Sequence, residues 1–300
     1  MTVTVQDITL PHGITLSCRV AGPEGAPVLM FLHGFPEAAF VWDELLEHFA
    51  GRYRCVAPNL RGYERSSAPA GVEPYRAKHL IGDIRALIEA FGGKLAALVA
   101  HDWGGAVAWT FTAAFPALVE RLVIVNSPHP AVFLRELLNN PVQQAASAYM
   151  NDFNEPGSED RLAEDDFARL WKLFTRMGAT DPNHPGGGWL TDEVRAQYRA
   201  VWSAGLTGPV NYYRASPLRP PTGPDSAVHG VVFPPEAVTV KVPVHVVWGE
   251  ADMALPPSLL DGLEAFVPHL TVARIPGATH WIVHEMPVRV AAEIEAALSR

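Results

Sequence analysis

The stretch KLAALVAHDWGG, residues 94–105, decides the fold. It begins as a uniformly apolar run, which is typical of a buried strand, and it passes directly into a helical pattern. A sharp strand-to-helix turn tolerates only small side chains two residues on either side of its apex, and Ala100 and Gly104 occupy those positions. The sequence therefore predicts that Asp102 protrudes at the apex of this turn.

Short apolar runs of the same kind lie on either side of this stretch. Three of them read PVLMFLHG (27–34), RLVIVNS (121–127) and VPVHVVWGE (242–250). The sequence also predicts a hairpin at 3–22 and a last strand at HLTVARI (269–275). Uniform apolar runs are typical of strands that are covered on both faces, as in a parallel sheet between helices. Helical patterns alternate with these strands at about 39–49, 75–91, 105–115, 257–266 and 286–298, so the predicted class is α/β.

The alternation of strand and helix stops between Ser127 and about Val240. Helical periodicity without an intervening strand appears there at 134–140, 142–153, 164–177 and 191–206, and a Pro-rich stretch, SPLRPPTGP, follows at 216–224. This pattern predicts a helical cap inserted into an α/β core. The expected division is a first core segment at 1–127, a cap at 128–240 and a second core segment at 241–300.

Composition narrows the class of partner. The chain of 300 residues is 48% hydrophobic and carries a formal net charge of −9, which argues against binding to nucleic acid phosphates. No leader-like segment and no run of about 18 apolar residues is apparent, so we expect a cytoplasmic protein without a membrane partner. Its two cysteines, Cys18 and Cys55, lie in strand-like runs and suggest neither a metal site nor a redox pair. The oligomeric state stays open, a homodimer included.

The turn around Asp102 resembles the nucleophile elbow of the α/β hydrolases, with Asp in place of the usual Ser. If Asp102 served only as the N-cap of the following helix, that role would account for the Asp but not for the small residues around it. A carboxylate nucleophile attacks an sp³ carbon and leaves an ester, which a water activated by a base must then hydrolyse. His280, which follows the last strand, is the predicted base, and His284 is the alternative.

The base needs a carboxylate to orient it, and two acids follow the strand that ends at Gly249. Asp252 is preferred because it lies further into the loop, and Glu250 is the fallback. The fold takes one oxyanion-hole amide from the loop after the third strand and one from the residue after the nucleophile. We therefore predict that the N–H groups of Phe35 and Trp103 stabilise the charge on the ester carbonyl.

With HGFPE (33–37), HDWGG (101–105), WGEAD (248–252) and HW (280–281) in this order, the whole chain resembles the epoxide hydrolases of the α/β-hydrolase superfamily. The resemblance implies a mostly parallel eight-stranded sheet flanked by helices, an inserted cap, a small hydrophobic epoxide as substrate, and no cofactor. Two cap segments, 149–157 and 211–214, are similar to the family's tyrosine segments. They imply that Tyr149 and Tyr213 protonate the epoxide oxygen and, with Phe35 and Trp103, contact the substrate.

Other classes of protein with this fold match the sequence less well. Haloalkane dehalogenases share the Asp elbow, but typically carry Asn where this chain has Phe35, and fluoroacetate dehalogenases carry Arg where it has Trp103. A serine esterase needs Ser at the position of Asp102. A non-catalytic ligand-binding member of the fold usually lacks a triad residue, whereas all three are present here.

Overall fold

The computed structural model describes residues 2–299, and its centre is a single eight-stranded sheet. The spatial order of the strands is β1-β2-β4-β3-β5-β6-β7-β8, and only the pairings of β2 with β1 and β4 are antiparallel. This confirms the mostly parallel eight-stranded sheet. The strands are β1 (Thr4–Thr9), β2 (Thr15–Ala21), β3 (Val28–Leu32), β4 (Arg54–Pro58), β5 (Leu95–His101), β6 (Leu122–Val125), β7 (Val244–Gly249) and β8 (Leu270–Ile275).

The central strands separate two apolar layers. Leu29 and Phe31 of β3 point into one buried cluster, whereas Val28, Met30 and Leu32 point into the other. Alternate residues of a strand face opposite sides of a sheet, so a strand covered on both sides must be apolar at every position. This is the physical reason for the uninterrupted apolar runs in the sequence.

Helices cover both faces of the sheet, and further helices lie above the carboxyl ends of its central strands. No helix within residues 2–299 combines the length and the apolar character that crossing a membrane requires. The helices are α1 (Asp43–Phe49), α2 (Ala77–Ala90), α3 (Asp102–Ala114), α4 (Pro130–Asn139), α5 (Pro141–Ala146), α6 (Tyr149–Asn154), α7 (Ser158–Thr175), α8 (Asp192–Ser203), α9 (Thr207–Ala215), α10 (Pro235–Val238), α11 (Ile282–Glu285) and α12 (Pro287–Leu298).

The helices α4 to α10 lie between β6 and β7 in the chain, and they form a layer above the carboxyl ends of the central strands. Met150 and Phe153 of α6 belong to the same buried cluster as Phe31 of β3 and Val125 of β6. The layer is therefore packed onto the sheet by continuous apolar contact. Within it, α6 contacts both α7 and α9.

The structure differs from the local predictions in several places. The helix predicted at 164–177 contains a break, because Asp165, Asp166 and Phe167 adopt left-handed backbone angles with φ between 52° and 61°. The helix predicted at 257–266 consists of two short 3₁₀ turns separated by Gly262, whose φ is 75°. The helix α9 was not predicted as a helix.

Candidate active site

The turn between β5 and α3 holds Asp102 in the strained conformation that the sequence predicts. Its φ is 47°, a region that few residues other than Gly adopt. A Cβ at Gly104 would lie 2.5 Å from the carbonyl oxygens of Leu32 and His33, so only glycine allows α3 to approach the end of β3 this closely. A Cβ at Gly34 would lie 2.4 Å from the Cβ of Asp102. The two glycines thus make room for Asp102 at the apex of the turn.

His280 links the apex to a buried carboxylate. Its Nε2 lies 3.7 Å from Oδ2 of Asp102, and its Nδ1 lies 2.7 Å from Oδ2 of Asp252. The side chain of Asp252 is fully buried, and its Oδ1 accepts hydrogen bonds from the backbone N–H groups of Ala254 and Leu255 at 2.8 and 2.9 Å. The structure therefore brings together the three side chains that the sequence predicted as a set.

The charges of these groups depend on one another. Burial alone would raise the pKa of Asp252, but His280 and the hydrogen bond from Asn126 outweigh it and lower that pKa. Burial alone would lower the pKa of His280, but Asp252 and, to a lesser extent, Asp102 raise it to about 9. The raised pKa favours the imidazolium form of His280 at neutral pH.

Asn126 is a supporting residue to which the sequence analysis assigns no role. Its Nδ2 donates to Oδ2 of Asp252 at 2.8 Å, and its Oδ1 accepts from the N–H of Gly249 at 2.8 Å. It thus ties the end of β6 to the loop after β7 and fixes the carboxylate that orients His280. The signal was its position at the end of an apolar strand, where polar residues of such sheets converge.

We expect Asn126→Ala to lower the free energy of unfolding by about 1–3 kcal/mol, because it leaves the buried Gly249 N–H without a partner. Chemical denaturation measures the loss. Asn139→Ala is the control, since Asn139 is exposed on α4 and bonds only to the carbonyl of Arg135. Its effect should stay within about 0.5 kcal/mol. Equal losses in the two variants would contradict a specific role for Asn126.

Of the two amides predicted to form the oxyanion hole, one contacts Asp102 directly. The N–H of Phe35 donates to Oδ1 of Asp102 at 2.7 Å. Within residues 2–299, no hydrogen bond joins the N–H of Trp103 to this carboxylate, although Trp103 lies in the first turn of α3. The role of its amide stays a prediction.

Tyr149 and Tyr213 approach the apex from the cap helices α6 and α9. Their ring centroids are 6.1 Å apart, and the ring of Tyr213 lies edge-on to Trp103 at 5.0 Å and to Phe35 at 5.2 Å. The neighbouring Tyr212 points elsewhere, because its hydroxyl donates to the carbonyl of Arg61 at 2.9 Å. The two tyrosines predicted to contact substrate thus lie on the cavity side, whereas Tyr212 does not join them.

Two arms of a cavity meet at Asp102, and the rings of Tyr149 and Tyr213 line both. One arm, of about 70 Å³, runs past Phe133 and Leu218. The other, of about 280 Å³, includes His280, Trp281 and Arg176 and opens toward solvent. We call these the inner arm and the outer arm. A wider groove of about 660 Å³ lies at the amino ends of β3 and β5, where parallel sheets do not bind their ligands.

The alternative residues lie outside this arrangement. His284 is 2.6 Å from the hydroxyl of Tyr198, and its ring stacks on Trp189. Burial lowers the pKa of His284 to about 4. Glu250 pairs with Arg274 at the surface, at 3.3 Å. Neither residue contacts the apex.

A second buried pair lies behind His280 and was missed from the sequence. Nδ1 of His101 is 2.8 Å from Oε2 of Glu37, and its Nε2 is 3.0 Å from the backbone carbonyl of His280. Burial alone would raise the pKa of Glu37, but His101 lowers it to about 2. Both residues lie in the quoted motifs, at HGFPE and HDWGG.

Several known proteins are similar to this chain in sequence and in fold. Residues 27–287 match the sequence family described as the alpha/beta hydrolase fold. The chain is 31% identical to epoxide hydrolase 4 of Mus musculus over 283 residues, which are 92% of this chain and 74% of that protein. A Bacillus megaterium epoxide hydrolase crystallised with an inhibitor matches with a TM-score of 0.89 at 33% identity, over 98% of this chain and 100% of that one. An epoxide hydrolase from metagenomes of hot environments matches with a TM-score of 0.84 at 38% identity, over 99% of each chain.

The matches extend over nearly the whole chain and agree with the fold and with the sequence motifs. The protein therefore belongs to the α/β-hydrolase-fold family and, within it, to the epoxide hydrolases.

Proposed function

We propose that the chain hydrolyses small hydrophobic epoxides to vicinal diols through a covalent ester on Asp102. The observation that carries this proposal is the position of two phenols, Tyr149 and Tyr213, on the walls of the cavity that ends at a carboxylate. Opening an epoxide requires both a nucleophile and an acid for the oxygen that leaves carbon. The cavity walls are mainly apolar, which suits a hydrophobic epoxide.

In the first step, Oδ2 of Asp102 attacks one carbon of the oxirane. The carbon–oxygen bond breaks, its electron pair goes to the epoxide oxygen, and Tyr149 or Tyr213 supplies the proton. Oδ2 is assigned this role because Oδ1 already accepts the N–H of Phe35. Burial raises the pKa of both tyrosines, and the charge of Asp102 adds to the shift, so both phenols stay protonated and able to donate.

In the second step, Nε2 of His280 removes a proton from water, and the resulting hydroxide attacks Cγ of the ester. Charge then develops on Oδ1, next to the N–H of Phe35. Collapse of this intermediate breaks the bond between Cγ and the diol oxygen, the alkoxide takes the proton of the regenerated Asp102 carboxyl group, and His280 is left as the imidazolium. One water and one epoxide are consumed for each diol.

The first step prepares the second electrostatically. The charge of Asp102 contributes to the raised pKa of His280. Esterification removes this charge, so the pKa of His280 must fall when the ester forms. A falling pKa favours the neutral imidazole, which is the form that accepts a proton from water, and the proton that His280 releases passes to the phenolate left by the first step. The base thus becomes available at the stage at which it is needed.

The tyrosines provide the test that separates epoxide opening from other reactions of an Asp nucleophile. We expect Tyr149→Phe or Tyr213→Phe to slow ester formation by about 10- to 100-fold, and the double change by about 10³-fold, because a positioned acid contributes about 10²- to 10⁴-fold. Rapid-mixing single-turnover measurements with an aryl epoxide follow the ester-forming step. Tyr212→Phe is the matched control, since its hydroxyl bonds to Arg61.

Halide release from a haloalkane is assayed in parallel, because a departing halide needs no proton. Undiminished diol formation by the double variant would refute the role of both tyrosines. Halide release without diol formation by the unaltered protein would replace epoxide hydrolysis with dehalogenation.

A further inference from the structure

On the proposed mechanism, Tyr149 and Tyr213 approach the same epoxide oxygen from two different helices. Tyr149 begins α6, and Tyr213 lies near the end of α9. A hydrogen bond between two oxygens is about 2.7 Å long, so two phenol oxygens that share one acceptor can be at most about 5.4 Å apart. The relative position of α6 and α9 therefore decides whether both phenols can act on one substrate.

The residue that follows Tyr213 in the sequence connects these two helices. Both Nη atoms of Arg214 donate to the carboxylate of Glu159 in the first turn of α7, with Nη1 at 3.1 Å from Oε1. Nη2 also donates to the hydroxyl of Ser158 at 3.0 Å and to the backbone carbonyl of Glu155 at 3.2 Å. These acceptors follow α6 directly in the chain. Arg214 thus bonds the end of α9 to the end of the helix that carries the other tyrosine.

A second contact joins the same two helices beside Arg214. Nδ2 of Asn154, the last residue of α6, donates to the backbone carbonyl of Tyr213 at 3.3 Å. The pair of Arg214 and Glu159 is largely shielded from water, with side-chain exposures of 15% and 21%. The hydrogen bonds from Arg214 lower the pKa of Glu159, so the carboxylate stays charged at neutral pH. A shielded bidentate pair fixes the geometry of its two elements more firmly than a surface ion pair does.

The same charges also suit the ends of their helices. Glu159 lies in the first turn of α7 and Arg214 in the last turn of α9, where the helix dipoles favour an anion and a cation, respectively. A role in cap stability alone, however, does not require the cation to follow one ring-opening tyrosine and its partners to follow the helix of the other. The two roles differ in what they predict for the rate of ring opening.

We propose that Arg214 is a positioning residue that fixes Tyr213 relative to Tyr149, so that both phenols reach the oxygen of one epoxide. The inference rests on the proposed function and adds a residue that acts through a phenol. Among the described residues, Arg214 is not part of the lining of either arm of the cavity. Its loss is therefore expected to slow ring opening only as long as Tyr213 has a hydroxyl to donate.

The test measures ester formation in a His280→Gln background, in which the ester is expected to accumulate, by rapid quenching with styrene oxide and intact-protein mass spectrometry. Arg214→Gln should slow ester formation by about tenfold when Tyr213 is present, but by less than about twofold in Tyr213→Phe, since a residue that acts through another is not additive with it. Glu159→Gln removes the charge of the partner at nearly constant volume and should act in the same direction. It also tests the pair if Arg214→Gln does not fold.

Arg199→Gln is the matched control, because Arg199 forms an equally bidentate pair with Asp166 at the surface of the cap. It should leave the rate of ester formation unchanged with and without the hydroxyl of Tyr213. A thermal unfolding scan of each variant checks that the fold is kept.

Two results would overturn the proposal. Equal slowing by Arg214→Gln with and without the hydroxyl of Tyr213 would assign the ion pair to the stability of the cap alone. Unchanged ester formation in both Arg214→Gln and Glu159→Gln would remove the positioning role. The proposed function is tested separately, because the absence of ester from the His280→Gln protein itself, or undiminished ester formation in Tyr213→Phe, would contradict that function and this proposal with it.

Discussion

Asp102→Ala is expected to abolish diol formation, with kcat reduced by about 10⁴-fold or more, since removing a nucleophile leaves only the weak effects of binding and positioning. No other carboxylate of the described residues lines either arm of the cavity. The protein should stay folded, because Asp102 lies in a turn and is not part of either apolar cluster. A steady-state assay with an aryl epoxide, together with a thermal unfolding scan, measures both quantities.

The control for this variant must include the same free-energy cost of placing Ala in a left-handed backbone conformation. Ala disfavours the left-handed conformation by about 1–2 kcal/mol, so part of any instability in Asp102→Ala comes from the turn itself. Asp165→Ala places the same change at an exposed Asp with φ 52° outside the site. Similar melting temperatures and a large difference in rate are expected. Diol formation by a well-folded Asp102→Ala variant would exclude the covalent mechanism.

His280→Gln is expected to trap the ester, because forming it requires only the nucleophile and the phenols. Hydrolysis should slow by about 10³-fold or more, as the loss of a general base in a covalent mechanism predicts. After substrate is added, intact-protein mass spectrometry should show the chain heavier by the mass of one epoxide. Digestion should locate the added mass on the peptide that contains Asp102.

His284→Gln is the comparison for this experiment. Its ring is bonded to Tyr198 and stacked on Trp189, away from the apex, so this variant should turn over without accumulating the adduct. If His284→Gln trapped the ester and His280→Gln did not, the base would have been assigned to the wrong histidine.

The residues that the sequence indicated best are those with a local signature. Asp102 stands between small residues at the junction of a strand and a helix, and the contacts of Gly104 with Leu32 and His33 show why nothing larger fits. His280 follows the last strand, where chain order predicts the base. Such features are visible because the turn geometry and the order of elements restrict which residues are possible.

The supporting residues were not predictable in the same way. Asn126 reaches Asp252 across 126 positions of the sequence, and His101 reaches Glu37 across 64. Each contact arises from the pairing of neighbouring strands and from the loops that follow them. Nothing in the local sequence distinguishes these two residues from polar residues that end a strand without a partner.

The errors in the helices have a related origin. The predicted helix begins at 164, and acidic residues such as those at 164–166 are common in the first turn of a helix, so the sequence does not reveal the left-handed turn that divides α7. Arg199 pairs with the carboxylate of Asp166, and the indole of Trp171 donates to the carbonyl of the same residue at 2.7 Å. Tertiary partners thus hold a conformation that local propensity disfavours.

Because the helices α4 to α10 form one insertion in the chain, the catalytic groups come from two separate parts of the molecule. On the proposed mechanism, the nucleophile, its base and the carboxylate behind the base are fixed to loops of the sheet, whereas both ring-opening phenols belong to one insertion between β6 and β7. That insertion can change in length and sequence while the register of the strands is kept. The residues that hydrolyse the ester are then retained together with the sheet, whereas the range of substrates can change through alterations in this one insertion.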